Sequence, residues 1–498
     1  MVMDVAIVGL GPVGGVLANL LGRFGLSVAV FERARSLYAL PRAVHFDAEC
    51  MRVFQAVGIA DELAPLCHVS PGMKFIDAEG RLLVDWQRPM EIGEQGWYAS
   101  YRFHQPDLEA LLRKALEAQR SVSIFPGCEV YAIEERPGCA LIQYEELTTG
   151  RLQDLEARYV VGCDGARSLV RRLIGSELHD LGLHEQWLVF DALLKRPWSR
   201  LGDFSIQFCD PARPATYVRG VGNRRRWEIM LMPGDDAAEI ARPENIWPLV
   251  GQWISPEDAD IERGVVYTFH SVIARQWRKG RLLLAGDSAH QTPPFLGQGM
   301  CAGVRDAANL AWKLHAVLAL GMSEGLLDTY QEERHPHAEA FIRLAVKMGG
   351  LIQATSPEAV RERDRQFAGG PQLMTSLAPR LGSSRLNDLN TGAGTLACQA
   401  MRQGARGDDA AGLCFMVVAR PGSAELAQIA SRCPAKWNAA LQVGDDPASL
   451  KMLDRLNADF AVMRPDRYLL GAARSLDELD ALWEPVRRFE QPSQLERA

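Results

Sequence analysis

The chain has 498 residues, of which 47% are hydrophobic and 23% charged, a balance that supports a large buried core and excludes both extended disorder and a single small module. With 55 basic against 62 acidic side chains the net charge is −7, which gives no electrostatic reason to bind nucleic acid or an anionic membrane surface. Ten cysteines without a Cys-x-x-Cys pair are too sparse for a disulfide framework or a zinc site and fit a reducing cytoplasm.

No apolar run approaches the roughly 20 residues of a membrane span. The apolar N-terminus opens with Asp4 and is broken by Gly9, Gly11, Pro12, Gly14 and Gly15, unlike a signal sequence. The dense basic spot Arg224-Arg225-Arg226 reads as an exposed turn between two strands.

Residues 5–8 form a short β run, after which Val13, Val16, Leu17, Leu20, Leu21 and Phe24 recur at helical spacing. Residues 27–31 are a second apolar strand ending in Glu32. Strand, glycine turn, helix and strand make a βαβ unit, whose parallel strands need the helix as crossover. The turn itself reads Gly9-Leu10-Gly11-Pro12-Val13-Gly14. Its glycines let a pyrophosphate approach the backbone N–H groups at the helix N-terminus, and Glu32 is placed to accept from a ribose diol. The pattern predicts an adenine dinucleotide and does not separate NAD from FAD.

Beyond this unit, residues 73–86 read as a hairpin around residues 77–80, and residues 106–119 as a helix begun by proline. Residues 122–146 are β-rich, and residues 157–161 lead into Gly162-Cys163-Asp164-Gly165. Several strands separated by Pro and Gly turns follow between 186 and 232, among them 204–208, 216–221 and 227–232, and predict an antiparallel sheet distinct from the nucleotide fold. The chain returns to the first layer at residues 281–285, a buried-type strand followed by Gly286-Asp287-Ser288-Ala289-His290. A long helix begins near Gly299 and runs through Leu310, Leu314 and Leu318. Residues 353–394 are richer in Gly, Pro and Ser and read as a linker. A last βα-type segment has strands near 414–418, 460–463 and 468–470 and a final helix from Ser475.

Three motifs in this order resemble the group A FAD-dependent aromatic hydroxylases, the family of para-hydroxybenzoate hydroxylase and phenol hydroxylase. They are the first glycine turn, Cys163-Asp164-Gly165-Ala166-Arg167-Ser168, and Gly286-Asp287 with its continuation Pro293-Pro294-Phe295-Leu296-Gly297-Gln298-Gly299-Met300. Pro41-Arg42-Ala43 with Asp47 and Glu49, the run from 292 to 314, and Arg464-Pro465-Asp466-Arg467-Tyr468 are most similar to the 3-(3-hydroxyphenyl)propionate hydroxylase type. The resemblance implies an α/β chain with a Rossmann-like FAD-binding domain (1–72, 96–180 and 270–352). An inserted antiparallel-sheet substrate domain (73–95 and 181–269), the linker 353–394 and a thioredoxin-like C-terminal domain (395–498) complete it. The thioredoxin redox pair is absent, since Cys398, Cys414 and Cys433 are far apart, so a packing or homodimer role is expected there.

The implied activity is hydroxylation of a small phenolic substrate, of the 3-(3-hydroxyphenyl)propionate kind, through a flavin C4a-hydroperoxide, with O2 and with NADH or NADPH as electron donor. Gly9, Gly11, Pro12, Val13, Gly14, Glu32 and Arg33 would hold the adenine dinucleotide portion of FAD. Arg42, Gln105, Pro294, Gly297, Gly299 and Met300 match flavin-contacting positions of the family. With Gly286 making the turn, Asp287 would bind the ribityl hydroxyls, while Asp164 would serve both flavin and nicotinamide. The dipole of the helix near Gly299 suits the charge of a reduced flavin.

Ring hydroxylation also needs a shielded cavity and a base that takes the phenolic proton. His45 and Asp47, between Arg42 and Glu49, are the candidates, although Asp47 also suits a helix cap. Tyr217 and Tyr267, on strands of the expected substrate sheet, are candidates for holding the substrate, although aromatic residues on strands commonly serve the core. Two other readings fit the residues: a flavin dehydrogenase or oxidase without oxygen insertion, and a non-catalytic dinucleotide-binding protein.

Overall fold

A computed structural model describes residues 2–37, 40–387 and 392–490. Four residues of the expected linker, 388–391, and the last eight of the C-terminal segment, 491–498, lie outside the described residues.

The predicted βαβ unit starts the first sheet. Met3–Val8 lies between Val28–Glu32 and Arg151–Gly162, all parallel, and Val122–Pro126 and Leu282–Leu284 extend the row on either side. Their interior positions are apolar and buried on both faces, as parallel strands covered by helices require. Arg151–Gly162 is long enough to leave this row, and its outer half forms an antiparallel ribbon with Cys139–Glu146 and Cys128–Arg136.

Strand register places the loops. Val8 pairs with Phe31 and Gly162, and Gly162 pairs with Leu284. Gly9, Glu32, Cys163-Asp164 and Gly286-Asp287 therefore emerge together at the carboxyl edge of one sheet, where open α/β folds bind ligands.

Two helices fix this edge from below. Pro12–Arg23 packs against the long helix Gly299–Ala319, and Gly303 allows the approach, since a Cβ there would meet Val13 Cγ2 at 2.5 Å. Buried Asp306 on the long helix accepts from Gly286 N at 3.1 Å, His290 Nε2 at 2.6 Å and Arg334 Nε at 3.0 Å. The aspartate thereby ties the turn that presents Asp287 to the helix beneath it.

Among the described residues the second sheet has nine strands, in the order His290–Gln291, Ala259–Ala274, Leu178–Leu194, Arg224–Met230, Ala215–Arg219, Ser205–Cys209, Gly72–Asp77, Leu82–Gln87 and Gln372–Leu373. The expectation of an antiparallel sheet needs correction here. Ser205–Cys209 runs parallel to Gly72–Asp77, and Gln372–Leu373 parallel to Leu82–Gln87. The predicted hairpin enters from far upstream and meets the later strands by a long crossover, which frees its direction from hairpin geometry. The expected linker is also more ordered than its composition suggests, since it carries the helix Pro357–Gln366 and the ninth strand.

Arg224-Arg225-Arg226 is not an exposed turn. It begins the strand Arg224–Met230, and Arg225 and Arg226 are buried. Burial is tolerated because Arg226 Nε donates to Asp191 Oδ1 at 2.7 Å and its remaining donors meet backbone carbonyls.

The last segment forms a four-stranded sheet. Met416–Ala419 pairs parallel with Ala440–Val443 and antiparallel with Phe460–Met463, which pairs antiparallel with Leu469–Ala473. Buried polar contacts fasten it to the first layer: Arg52 Nε to Asp408 Oδ2 at 2.6 Å, Arg464 Nη2 to Glu333 Oε2 at 2.8 Å, and Tyr468 OH to Glu49 Oε1 at 2.7 Å. Cys398, Cys414 and Cys433 are free thiols. Among the described residues no helix is long and apolar enough to cross a membrane.

Candidate active site

A single groove of about 1230 Å³ runs from the glycine turn across the carboxyl edge of the first sheet to the inner face of the second. At its first end Gly9 adopts φ 101°, a conformation open chiefly to glycine. A Cβ on Gly14 would lie 2.0 Å from the Gly9 carbonyl oxygen, so the turn closes only without one. Gly11 differs: a Cβ there would meet no protein atom within 4 Å, and the residue lines the groove. Its bareness leaves space for a ligand at the N-terminus of Pro12–Arg23, where free N–H groups favour an anion.

Glu32 is held by Leu10 N at 2.9 Å and Ala34 N at 2.8 Å, which anchors its carboxylate beside the turn. Arg33 lines the same end. Gln105 Oε1 accepts from Arg42 N at 2.9 Å and Ala43 N at 2.7 Å, and its amide donates to Glu109 at 2.7 Å. Gln105 is thus the clamp that shapes residues 42–43 along the wall.

Asp164 lines the groove and accepts from Ser168 Oγ at 2.5 Å and from Leu169 N at 2.6 Å, at the start of the helix Leu169–Ile174. Asp287 faces the groove and accepts no hydrogen bond among the described residues. Its side chain is open to the groove, while the protein packed around that edge pushes its carboxyl above the usual range, against the nearby His290 and Arg42. A carboxylate with open lone pairs facing a groove suits hydroxyl donors. Pro294, Gly297, Gly299 and Met300 complete this stretch.

These features fit FAD: an N–H cradle cleared of side chains, an anchored acidic residue one strand away, and an unpartnered carboxylate further along the same edge.

The catalytic candidates separate. His45 lines the groove, buried, with Nδ1 3.1 Å from Gly297 O and Nε2 2.9 Å from Ser100 Oγ. Burial, helped by the Arg102 and Arg88 cations, holds its imidazole down to about 3. It is a neutral ring that donates to the carbonyl and accepts from the serine.

Asp47 does not line the groove. Its carboxylate caps the helix Ala48–Val57 through Cys50 N at 3.1 Å and pairs with Arg305 Nη2 at 2.5 Å. Arg305 and His45 hold it below the usual carboxylate range against the opposing effect of burial. The expectation of a base at Asp47 is corrected on that geometry, because its oxygens are spent on the helix and the arginine.

Tyr217 is corrected likewise. Side chains alternate along a strand, so Thr216 and Val218 face the groove while Tyr217 turns into the opposite core beside Trp198 and Trp227. Tyr267 does line the groove, with its hydroxyl 3.3 Å from Arg263 Nη1.

The second sheet and its neighbours contribute residues that sequence reasoning missed. Arg88 extends over the Trp86 ring at 4.1 Å, and Arg102 is buried with one hydrogen bond, to Ser205 Oγ. Burial lowers each guanidinium to about 10. Gln207, Thr216 and Glu228 line the same wall. A signal for Glu228 existed, since it is an acidic residue set between the apolar Trp227 and Ile229.

The nucleotide cradle, the second sheet roofing it and the groove between them define a two-sheet flavoprotein. The sequence profile of the family described as FAD binding domain matches residues 2–345, and the chain belongs to that family, among the FAD-dependent aromatic hydroxylases. One similar relative is named "Probable NADH-specific resorcinol 4-hydroxylase", from Rhodococcus jostii (strain RHA1). It is 42% identical over 368 residues, 73% of this chain and 68% of that protein. Another, a 3-(3-hydroxy-phenyl)propionate/3-hydroxycinnamic acid hydroxylase of Burkholderia cenocepacia (strain HI2424), is 39% identical over 366 residues, 73% of this chain and 66% of that protein. The matched region thus spans about two thirds of these relatives.

Among solved structures, the flavin-dependent monooxygenase PieE in complex with FAD and substrate superposes with a TM-score of 0.80 at 21% identity, covering 98% of this chain and 99% of that one. A ternary complex of aklavinone-11 hydroxylase with FAD and aklavinone gives 0.79 at 22%, covering 97% and 98%. At these identities the likeness shows the fold.

Proposed function

We propose that the chain is an FAD-dependent monooxygenase that hydroxylates a small phenol with O2 and a reduced nicotinamide. The observation that carries this reading is the single groove in which the nucleotide cradle opens directly onto the polar inner face of the second sheet. The names of the relatives favour oxygen insertion over dehydrogenation without it.

In this reading Gly9, Gly11, Pro12, Val13 and Gly14 hold the pyrophosphate, Glu32 and Arg33 the adenosine ribose, and Gly286 and Asp287 the ribityl chain. Arg42, Gln105, Asp164, Pro294, Gly297, Gly299 and Met300 frame the isoalloxazine, which supplies the redox chemistry that activates O2. Segments 1–72, 96–180 and 270–352 then form the flavin domain and 73–95 with 181–269 the substrate domain. The C-terminal sheet serves as a thioredoxin-like packing module without redox chemistry, as its separated free cysteines suit. Those thiols also suit a cytoplasmic setting.

The chain's own residues do three things. Met73, Trp86, Phe269 and Leu296 give the substrate end apolar walls that exclude water. His45, neutral and fixed between Gly297 and Ser100, holds the wall near the flavin rather than serving as a charged acid. Tyr267 on the second sheet and Arg102 on the short strand Ser100–Arg102 present polar groups to a ring hydroxyl.

Resorcinol and 3-(3-hydroxyphenyl)propionate, each with NADH and isotopically labelled O2, provide the test. Product carrying one labelled oxygen is expected from at least one of them. NADH oxidation with only peroxide formed across a panel of phenols would remove the reading.

A further inference from the structure

Among the described residues, two ionisable side chains face the substrate end of the groove with no hydrogen bond or ion pair to each other or to any other charged group. Glu228 is 6% exposed, lines the cavity, and makes neither a hydrogen bond nor an ion pair among the described residues. Arg102 is 5% exposed, lines the same cavity, donates to Ser205 Oγ, and leaves its Nε–H without a partner. A buried charge is ordinarily paired, and one left open is costly to maintain.

The neighbours explain why Glu228 stays open. The charged groups around it are Arg226, Asp191, Arg263 and Arg102. Arg226 and Arg263 are both committed to Asp191, at 2.7 and 2.8 Å, and to the carbonyl oxygen of Pro41. They steady the site electrostatically without hydrogen-bonding or ion-pairing to Glu228 among the described residues. Thr216, opposite Glu228 in the adjacent strand, gives its hydroxyl to Gln207 Oε1 at 2.5 Å and is likewise committed. Burial raises the Glu228 carboxyl above its usual range, which makes its carboxylate a better proton acceptor.

We propose that Glu228 is the catalytic base that takes the phenolic proton and that Arg102 holds the phenolate so formed. The assignment rests on the hydroxylase reading above. The phenol O–H bond breaks with its electron pair kept on oxygen, and a Glu228 O–H bond forms. The phenolate oxygen then faces the guanidinium, and its charge makes the ring carbon electron-rich for oxygen transfer. Once that carbon has gained oxygen and released its hydrogen as a proton to solvent, Glu228 returns its own proton to the ring oxygen. The carboxylate is thus regenerated. The pair takes over the role expected of Asp47, whose oxygens are turned to Arg305.

The test compares a phenol that the enzyme turns over with a ring-fluorinated form of it already ionised at the assay pH. With E228Q, product formation from the ordinary phenol should slow by about a hundredfold, the lower end for a lost general base, while the ionised phenol keeps its wild-type rate. E228D should recover part of the loss with the ordinary phenol only. For Arg102→Met, binding of the ionised phenol, read from perturbation of the flavin absorbance, should weaken by about tenfold.

Flavin content and melting temperature are recorded for each variant, and if E228Q does not fold, the E228D comparison carries the same discrimination. Equal loss with both phenols would reduce Glu228 to a structural role, and no loss with either would exclude it from proton transfer. Absence of hydroxylated product from the wild-type protein would instead bring down the hydroxylase reading itself.

Discussion

Arg226 reaches out of the second sheet and donates to the backbone carbonyl of Arg42 at 2.8 Å, while its Nε bonds Asp191 at 2.7 Å. One buried guanidinium thereby joins the strand that carries Glu228 to the segment that lies along the flavin wall. The two halves of the groove are set against each other by this contact together with Arg263, which meets Pro41 O at 2.8 Å.

Replacing Arg226 by Met should therefore harm more than packing. Asp191 would keep Arg263 but lose half of its compensation, and the carbonyl of Arg42 would lose its donor. A loss of about 3 kcal/mol is expected from breaking a buried pair, together with weaker flavin retention. Denaturant melts with and without added FAD check both, and an unchanged midpoint would show that the bridge is dispensable.

Gly11 and Gly14 should separate cofactor binding from folding. Gly11→Val puts its Cβ where no described protein atom lies within 4 Å, so the flavin-free protein should melt as wild type and emerge colourless. Gly14→Val would collide with the Gly9 carbonyl and should lower stability itself. If both variants kept flavin, the cradle would not be where the cofactor's phosphates sit.

Asp287→Ala removes the open carboxylate from the groove. Charged hydrogen bonds contribute roughly 1.5–3 kcal/mol each, so FAD affinity should fall at least tenfold with the fold retained. Fluorescence titration of apoprotein with FAD gives the value, and retention of wild-type affinity would remove Asp287 from the ribityl site.

Asp47→Asn should leave product formed per nicotinamide consumed unchanged while lowering stability by about 1.5–3 kcal/mol, because Arg305 loses an anionic partner. Asparagine still caps a helix, so the change isolates the ion pair. A drop in coupling at unchanged stability would return Asp47 to the mechanism.

His45 predicts a pH effect with a definite sign. In the folded chain its imidazole is held at about 3, against ~6.5 when unfolded. Between these values the unfolded state binds the extra proton, so stability is fully present above about pH 6.5 and is lost progressively toward pH 3. Buried His337, lowered in the same direction, adds to the slope. His45→Asn should flatten, without abolishing, the fall in melting temperature between pH 6.5 and 4. An unchanged slope would mean that the ring is not held neutral.

Much of the nucleotide half was legible in the sequence, because it is built from local rules. The Gly9-to-Gly14 turn, Glu32 at a strand end and the acidic residues after Gly162 and Gly286 each follow an apolar strand, and parallel strands bring their carboxyl ends to one edge. The substrate half was less legible. Whether Tyr217 or its neighbours Thr216 and Val218 face the groove depends on which side of the strand meets the first layer, and a period of two fits either choice.

The amino-acid sequence by itself therefore determined the dinucleotide turn, the order of the layers and the flavin motifs, since backbone sterics and apolar periodicity act within short stretches. Only the tertiary structure decided that Arg226 is buried, that Asp47 turns away to Arg305, and that Glu228 and Arg102 look into one cavity from strands 126 positions apart in the chain. Those outcomes depend on charge compensation between distant segments. A desolvated ion is stable only where the fold supplies its partner or leaves room for one.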